Sequence, residues 1–174
     1  MGAIDDALKA NERYSRGFEH GHLTMPPARK LAVLACMDAR LDVLRILGLQ
    51  PGDAHVIRNA GGIATEDAVR SLVISQQLLG TQEIMLIHHT DCGMLTFRDE
   101  ELHRKLRSST GTSAIVPAVF YAFSGLEEDV REQMRRLRSH PWIPKSIPIR
   151  GFVYDVKTGT LREVSVREVA RSAG

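Results

Sequence analysis

The sequence predicts an α/β fold: a central, mainly parallel β-sheet flanked by helices. Three observations predict it. Short apolar runs alternate with helical patterns through the first two thirds of the chain. The runs are continuously apolar rather than alternating, as strands buried on both faces are. Each of the first three runs ends in a polar cluster, which would set those clusters along one edge of the sheet.

The elements follow in order. Residues 3–18 read as an amphipathic helix, with Ile4, Leu8, Tyr14 and Phe18 roughly on one side. Residues 19–29 form a linker, because Pro26 and Pro27 forbid a helix there. Leu31 to Ala35 make the first strand, which ends at Cys36, and residues 41–48 make a helix closed by Gly48. Ala54 to Ile57 form the second strand, leading into a loop, R-N-A-G-G, at 58–62. Thr65 caps a helix that runs to Leu79 with Glu66 and Asp67 in its first turn. The third strand covers 83–88 and ends at His89-Thr90-Asp91-Cys92-Gly93. A helical stretch is expected over 94–106, a loop over 108–118 and a charged helix over 127–139, stopped by His140-Pro141. G-F-V-Y-D-V and L-R-E-V-S-V flank Lys157-Thr158-Gly159 in a hairpin-like arrangement.

Length and composition narrow the function classes. The 174 residues suffice for one domain, expected to span 1–174, with 1–29 as a helix and linker free to wrap a partner subunit. Hydrophobic residues at 43% and charged residues at 25% are ordinary for a globular protein. No apolar run approaches the roughly 18 residues that span a bilayer, and the N-terminus lacks a signal-peptide core, so a cytoplasmic protein without membrane contact is expected. The net charge is +2, and the arginines at 131, 135, 136 and 138 alternate with acids. That is a solvated helix face rather than a nucleic-acid surface, and no nucleic-acid partner is expected.

The chemistry lies at the strand ends. Cys36 and Cys92 are the only cysteines. They read as inert buried thiols, as a disulfide, or as metal ligands, and a cytoplasmic setting argues against the disulfide. His89-x-x-Cys92 at a strand-to-helix turn can point two ligands at one centre, and Cys36 can add a third from a neighbouring strand. Two sulfurs and one nitrogen leave a fourth tetrahedral position open, as in catalytic zinc sites. His88 and His89 are adjacent, so only one should face the metal. His89 has the spacing to Cys92, which leaves His88 as a core histidine or a proton relay. Asp38 and Arg40 read either as a surface pair of small energetic worth or as a carboxylate held by guanidinium beside the metal.

C-M-D-A-R at 36–40, R-N-A-G-G at 58–62 and H-T-D-C-G-M at 89–94 resemble the β-class carbonic anhydrases, closest to the short archaeal-type (Cab-like) branch. P-W-I-P-K-S at 141–146 and G-F-V-Y-D-V-K-T-G-T-L at 151–161 extend the likeness from about residue 30 to residue 164. The resemblance implies one Zn2+ per chain at the carboxyl ends of the strands, held by Cys36, His89 and Cys92. It implies Asp38 and Arg40 as the catalytic dyad, with Asp38 a conditional fourth ligand when Arg40 releases it. The implied reaction is reversible hydration of carbon dioxide to bicarbonate and a proton by zinc-bound hydroxide. Gly61 and Gly62 are expected to let backbone groups approach the substrate, although many members carry Asn at the last loop position. His88, His55 and His103 are candidate proton relays. The resemblance also implies a homodimer or a dimer of dimers. Related readings are a zinc hydrolase of carbonyl sulfide or carbon disulfide and a catalytically silent zinc-binding protein.

Overall fold

The computed structural model describes residues 2–112, 114 and 117–166. Five strands form one sheet: β1 (Leu31–Cys36), β2 (Ala54–Asn59), β3 (Glu83–His89), β4 (Ile149–Tyr154) and β5 (Leu161–Val164). Their order is β2-β1-β3-β4-β5; the first four are parallel, and β5 pairs antiparallel with β4. The helices are α1 (Ala3–Arg16), α2 (Val43–Ile46), α3 (Glu66–Gln77), α4 (Asp99–Thr110) and α5 (Leu126–Ser139).

Residue parity on the strands sorts the core into two layers. Ala32 and Leu34 of β1 and Ile84 and Leu86 of β3 face one side, where Ala68, Val69 and Leu72 of α3 and Val130, Met134 and Leu137 of α5 cover them. Val33, Ala35 and Ile87 face the other side and meet Leu41, Val43, Cys92 and Met94. Right-handed crossovers explain the split. The moves from β2 to β3 and from β3 to β4 run in one direction and lay α3 and α5 on the same face. The move from β1 to β2 runs the opposite way and sends α2 to the other face. Gly151 on β4 lets α5 seat closely, since a Cβ there would lie 2.4 Å from Val130 Cγ1.

The reversal of direction also makes the crevice. Chain leaving β1 turns toward β2, and chain leaving β3 turns toward β4. The carboxyl ends of the adjacent strands β1 and β3 are therefore left uncovered between them, the place where such sheets bind ligands.

The predicted elements need three adjustments. The helix expected over 41–48 is a single turn, capped by the Asp42 side chain on the Arg45 amide. The stretch expected to be helical over 94–106 begins instead as a 3-10 turn at Gly93–Leu95, and α4 starts only at Asp99. The acidic triplet Asp99-Glu100-Glu101 marks that start, with Glu101 accepting from the Arg98 amide. The second strand continues two residues past Ile57 to Asn59, so Arg58 and Asn59 belong to the sheet rather than to the loop. Part of the loop expected over 108–118, and the end of the expected domain at 167–174, lie outside the described residues. Among the described residues no helix is long and apolar enough to cross a membrane.

Candidate metal centre

Cys36 is the last residue of β1, His89 the last of β3, and Cys92 lies three residues further on, before the 3-10 turn. All three side chains are buried, and one ligand atom of each lies within 4.8 Å of the others. Parity separates the two histidines as adjacency requires. His89 shares the Ile87 face with the cysteines, while His88 shares the Leu86 face and meets α5.

Two features fit this trio to a soft divalent metal. His89 Nδ1 lies 2.9 Å from the Thr90 carbonyl, so it carries the proton and donates. Its Nε2 is then a lone-pair nitrogen, buried and without a hydrogen-bond partner. A buried acceptor of that kind is costly unless something coordinates it. The donor set of two thiols and one imidazole is that of zinc sites. The hydrogen bond from the Cys92 thiol, aided by contacts with His89 and the Asp38 and Gly61 backbone, holds Cys36 below the usual thiol range against the opposing effect of burial. The same sulfur contact, with burial, pushes Cys92 well up. Burial alone would lower His89, but the Cys36 sulfur and the Thr90 carbonyl outweigh it and raise the imidazole.

Asp38 stands at the mouth. Its Oδ2 lies 3.7 Å from His89 Nε2. Arg40 grips it with Nε on Oδ1 at 2.9 Å, Nη2 on Oδ2 at 2.8 Å and the backbone amide on Oδ1 at 2.9 Å. That grip, side chain first, holds the Asp38 carboxyl far below the usual carboxylate range. Arg40 is itself held from behind: Nη1 donates to Asp91 Oδ2 at 2.8 Å and Nη2 to the Asp91 carbonyl at 3.0 Å. Asp91 adopts a left-handed backbone, φ 56°, which turns that carboxylate back toward Arg40.

The R-N-A-G-G segment frames the site. Arg58 Nε donates to the Cys36 carbonyl at 3.0 Å and Nη2 to the Asp38 carbonyl at 2.6 Å. Asn59 staples the turn that follows, its Oδ1 accepting from the Ile63 amide and its Nδ2 donating to the Ile63 carbonyl. Gly62 has φ 72°, and a Cβ there would sit 3.0 Å from the Cys36 amide and 3.2 Å from the Ile87 carbonyl. A larger residue there would have to push on the strands that carry Cys36 and His89 from a backbone that favours glycine.

The candidate relays differ in place. His88 Nε2 meets Asp129 Oδ2 at 2.7 Å on the α5 side. His55 bonds Ser75 and pairs in register with Ala32, at the amino end of its strand and roughly 13 Å along it from Asn59. His103 sits on α4, bonded to the Ala118 carbonyl. Arg58, Asn59, Thr90, Asp91, Asp129 and Gln133 are contributors that sequence reasoning did not single out as site residues. The first four lie in recognised motifs, whereas Asp129 and Gln133 carry no local signal, being distant in sequence from His88 and Ala64, which they touch.

A mainly parallel α/β sheet with a buried Cys-His-Cys group at its switch point, and an acid-arginine pair beside it, has the donor set of a zinc-binding protein. Comparison with known proteins makes this specific. Residues 31–116 match the carbonic anhydrase family. The chain is 51% identical over 165 residues to beta-carbonic anhydrase 1 of Mycobacterium tuberculosis, covering 95% of this chain and 99% of that one. It superimposes on the crystal structure of carbonic anhydrase from Streptococcus mutans with a TM-score of 0.90 at 45% identity, covering 95% and 99% of the two chains. It is also 38% identical over 182 residues to a carbon disulfide hydrolase of Acidianus, covering 92% of this chain and 88% of that protein. The chain belongs to the β-carbonic anhydrase family.

Proposed function

We propose that this chain catalyses the reversible hydration of carbon dioxide to bicarbonate and a proton, with one zinc ion per chain. The observation that carries the reading is the unpartnered His89 Nε2 within the buried Cys36-His89-Cys92 group, beside an Asp38 already gripped by Arg40. Cys36 and Cys92 would hold the ion through Sγ and His89 through Nε2, while the Thr90 carbonyl fixes the imidazole tautomer. A zinc ion bound there supplies a Lewis acid that brings the pKa of coordinated water to about 7.

The protein's own groups do the rest. Arg40 keeps Asp38 ionised and aimed, so Oδ2 accepts a hydrogen bond from the attacking water and orients its lone pair toward the carbon of CO2. The left-handed main chain at Gly61 and Gly62, packed against the strand ends that carry Cys36 and His89, forms the wall against which the substrate lies. The proton released with bicarbonate leaves past the partly exposed Asp38. If Arg40 let go, Asp38, whose Oδ2 lies 3.7 Å from His89 Nε2, would be the residue able to join the zinc ligands and close the site.

A second reading, hydrolysis of carbon disulfide, is favoured by the likeness to the Acidianus hydrolase. Both reactions use an activated water, so the shape of the pocket decides between them. Turnover of CO2 and of CS2 by the same zinc-loaded preparation separates them. The reading predicts hydration of CO2 with CS2 slower by orders of magnitude, and the reverse ranking would replace it with the second.

The chain is further proposed to work as a homodimer or dimer of dimers, with residues 1–29 wrapping a partner and the whole of 1–174 acting as one domain. The fourteen-residue α1 buries none of its residues, and Ile4 and Leu8 are 78% and 60% exposed. Ile4→Glu with Leu8→Glu should shift the mass measured by light scattering toward the monomer; an unchanged mass speaks against the wrap. Two reduced cysteines as ligands suit a cytoplasmic location.

A further inference from the structure

A row of polar side chains, two buried and one partly so, runs from α5 to both halves of the site. Gln133 is 4% exposed, on the same face of α5 as the apolar Val130, Met134 and Leu137. Its Oε1 accepts from the Ala64 amide at 3.0 Å. A backbone amide can only donate, so the orientation of the Gln133 amide is fixed: oxygen toward Ala64, nitrogen toward α5. Nε2 accordingly donates to Asp129 Oδ1 at 3.1 Å, one helical turn back. The other oxygen of Asp129 takes His88 Nε2 at 2.7 Å, and His88 directly precedes the ligand His89 on β3.

The Ala64 end matters most. Ala64 is fully buried and lies two residues past Gly62. The turn between β2 and α3 has one anchor at each end. Asn59 holds Ile63 from the strand side, and Gln133 holds Ala64 from the helix side. Residues 60–62 form a 3-10 turn with Gly61 and Gly62 both in left-handed backbone, a conformation that local sequence does not hold by itself. Both anchors are needed to fix where the glycine amides and carbonyls point. A leucine at 133 would extend the apolar stripe at no desolvation cost, so an amide there has work to do.

We propose that Gln133, clamped by Asp129, is a positioning residue that sets the Gly61-Gly62 backbone against the substrate. The inference rests on the reading that this backbone lines the CO2 site. Gln133 touches neither metal ligand nor substrate, and it acts through the Ala64 amide.

The test is stopped-flow hydration of CO2 by the zinc-loaded wild type and by Gln133→Met, Gln133→Asn and Gln133→Glu, with zinc content measured on the same samples. Methionine keeps the volume and removes the hydrogen bond. Asparagine keeps the amide but is one methylene too short to reach Ala64. Glutamic acid keeps an acceptor for the Ala64 amide and, when protonated, a donor to Asp129. Met and Asn should each raise KM about fivefold, the effect expected of one lost buried hydrogen bond. Zinc should stay at the wild-type level, kcat should change far less than KM, and Glu should recover most of the loss. If Met does not fold, Asn carries the same reading. An unchanged KM, or a fall in kcat that simply follows zinc loss, overturns the proposal and leaves Gln133 as packing. A zinc-loaded wild type that does not hydrate CO2 overturns both this proposal and the reading beneath it, whereas an active wild type with indifferent variants overturns this proposal alone.

Discussion

Both carboxylate oxygens of Asp38 are held by the guanidinium of Arg40, at 2.9 Å through Nε and 2.8 Å through Nη2, while Asp38 Oδ2 stands 3.7 Å from His89 Nε2. One carboxylate thus has two possible partners within a small movement. Arg40 holds it ionised and fixed in direction; without Arg40 it would be free to join Cys36, His89 and Cys92 in holding the proposed zinc. Arg40→Leu should lower kcat/KM about a hundredfold, the scale of losing one positioned proton-handling group. Zinc should remain at the wild-type level. Elemental analysis alongside the hydration assay checks this, and loss of zinc in step with activity contradicts it.

Asp91 holds the far side of the same guanidinium and is 73% exposed. A surface pair adds little to stability, so its value should show in activity. Asp91→Asn keeps the carbonyl contact and weakens the charge-assisted one. The melting temperature should stay within about 1 °C of wild type, while kcat/KM falls by roughly threefold to tenfold as Arg40 gains freedom. Equal losses in stability and activity would show that Asp91 serves the fold instead.

Gly62 has a more severe constraint. An added methyl group would meet the Cys36 amide at 3.0 Å and the Ala35 carbonyl carbon at 3.1 Å, on a backbone already at φ 72°. Gly62→Ala should cost about 2–3 kcal/mol and reduce zinc retention, because the clash displaces Cys36. Denaturant unfolding with zinc measured by chelator competition checks both. Gly80→Ala, at φ 76° but with open space around it, should cost less and leave zinc unaffected.

Asp99 ties down the irregular segment at 120–122 by accepting from the Phe120, Tyr121 and Ala122 amides at 2.7, 3.2 and 3.0 Å. Burial opposes its ionisation, but the three amides win and lower its pKa. A depressed carboxylate stabilises the fold above its unfolded pKa, near 3.9, and loses that contribution as pH falls through the lower folded value. Asp99→Asn should therefore cost about 2 kcal/mol at neutral pH, with the gap to wild type closing below about pH 4. Urea unfolding at pH 7 and pH 3.5 checks this. A gap that is constant with pH would mean the amides do not depend on the charge.

Much of the site was legible because its residues stand at punctuation points. Cys36 and His89 end apolar runs, and Cys92 follows three residues later, so the strand ends and the candidate ligand cluster are legible together. Strand parity alone puts His88 and His89 on opposite faces of β3. The 94–106 stretch was misjudged because Met94, Leu95 and Phe97 imitate helical periodicity, whereas Met94 packs on Cys92 and the Thr96 hydroxyl bonds back to the Gly93 carbonyl. The roles of Gln133 and Asp91 were not legible. Gln133 meets an amide 69 positions away, and Asp91 meets a guanidinium 51 positions away. Such contacts are created by the order of strands in the sheet, which no local pattern encodes.

The most direct measurement is the CO2 hydration rate during stepwise return of zinc to metal-stripped protein. The rate should rise in proportion to zinc and level off at one zinc per chain, and Cys36→Ser, His89→Ala and Cys92→Ser should each abolish the rise. Hydration that does not track zinc, or a rise that survives loss of any of the three side chains, would contradict the account.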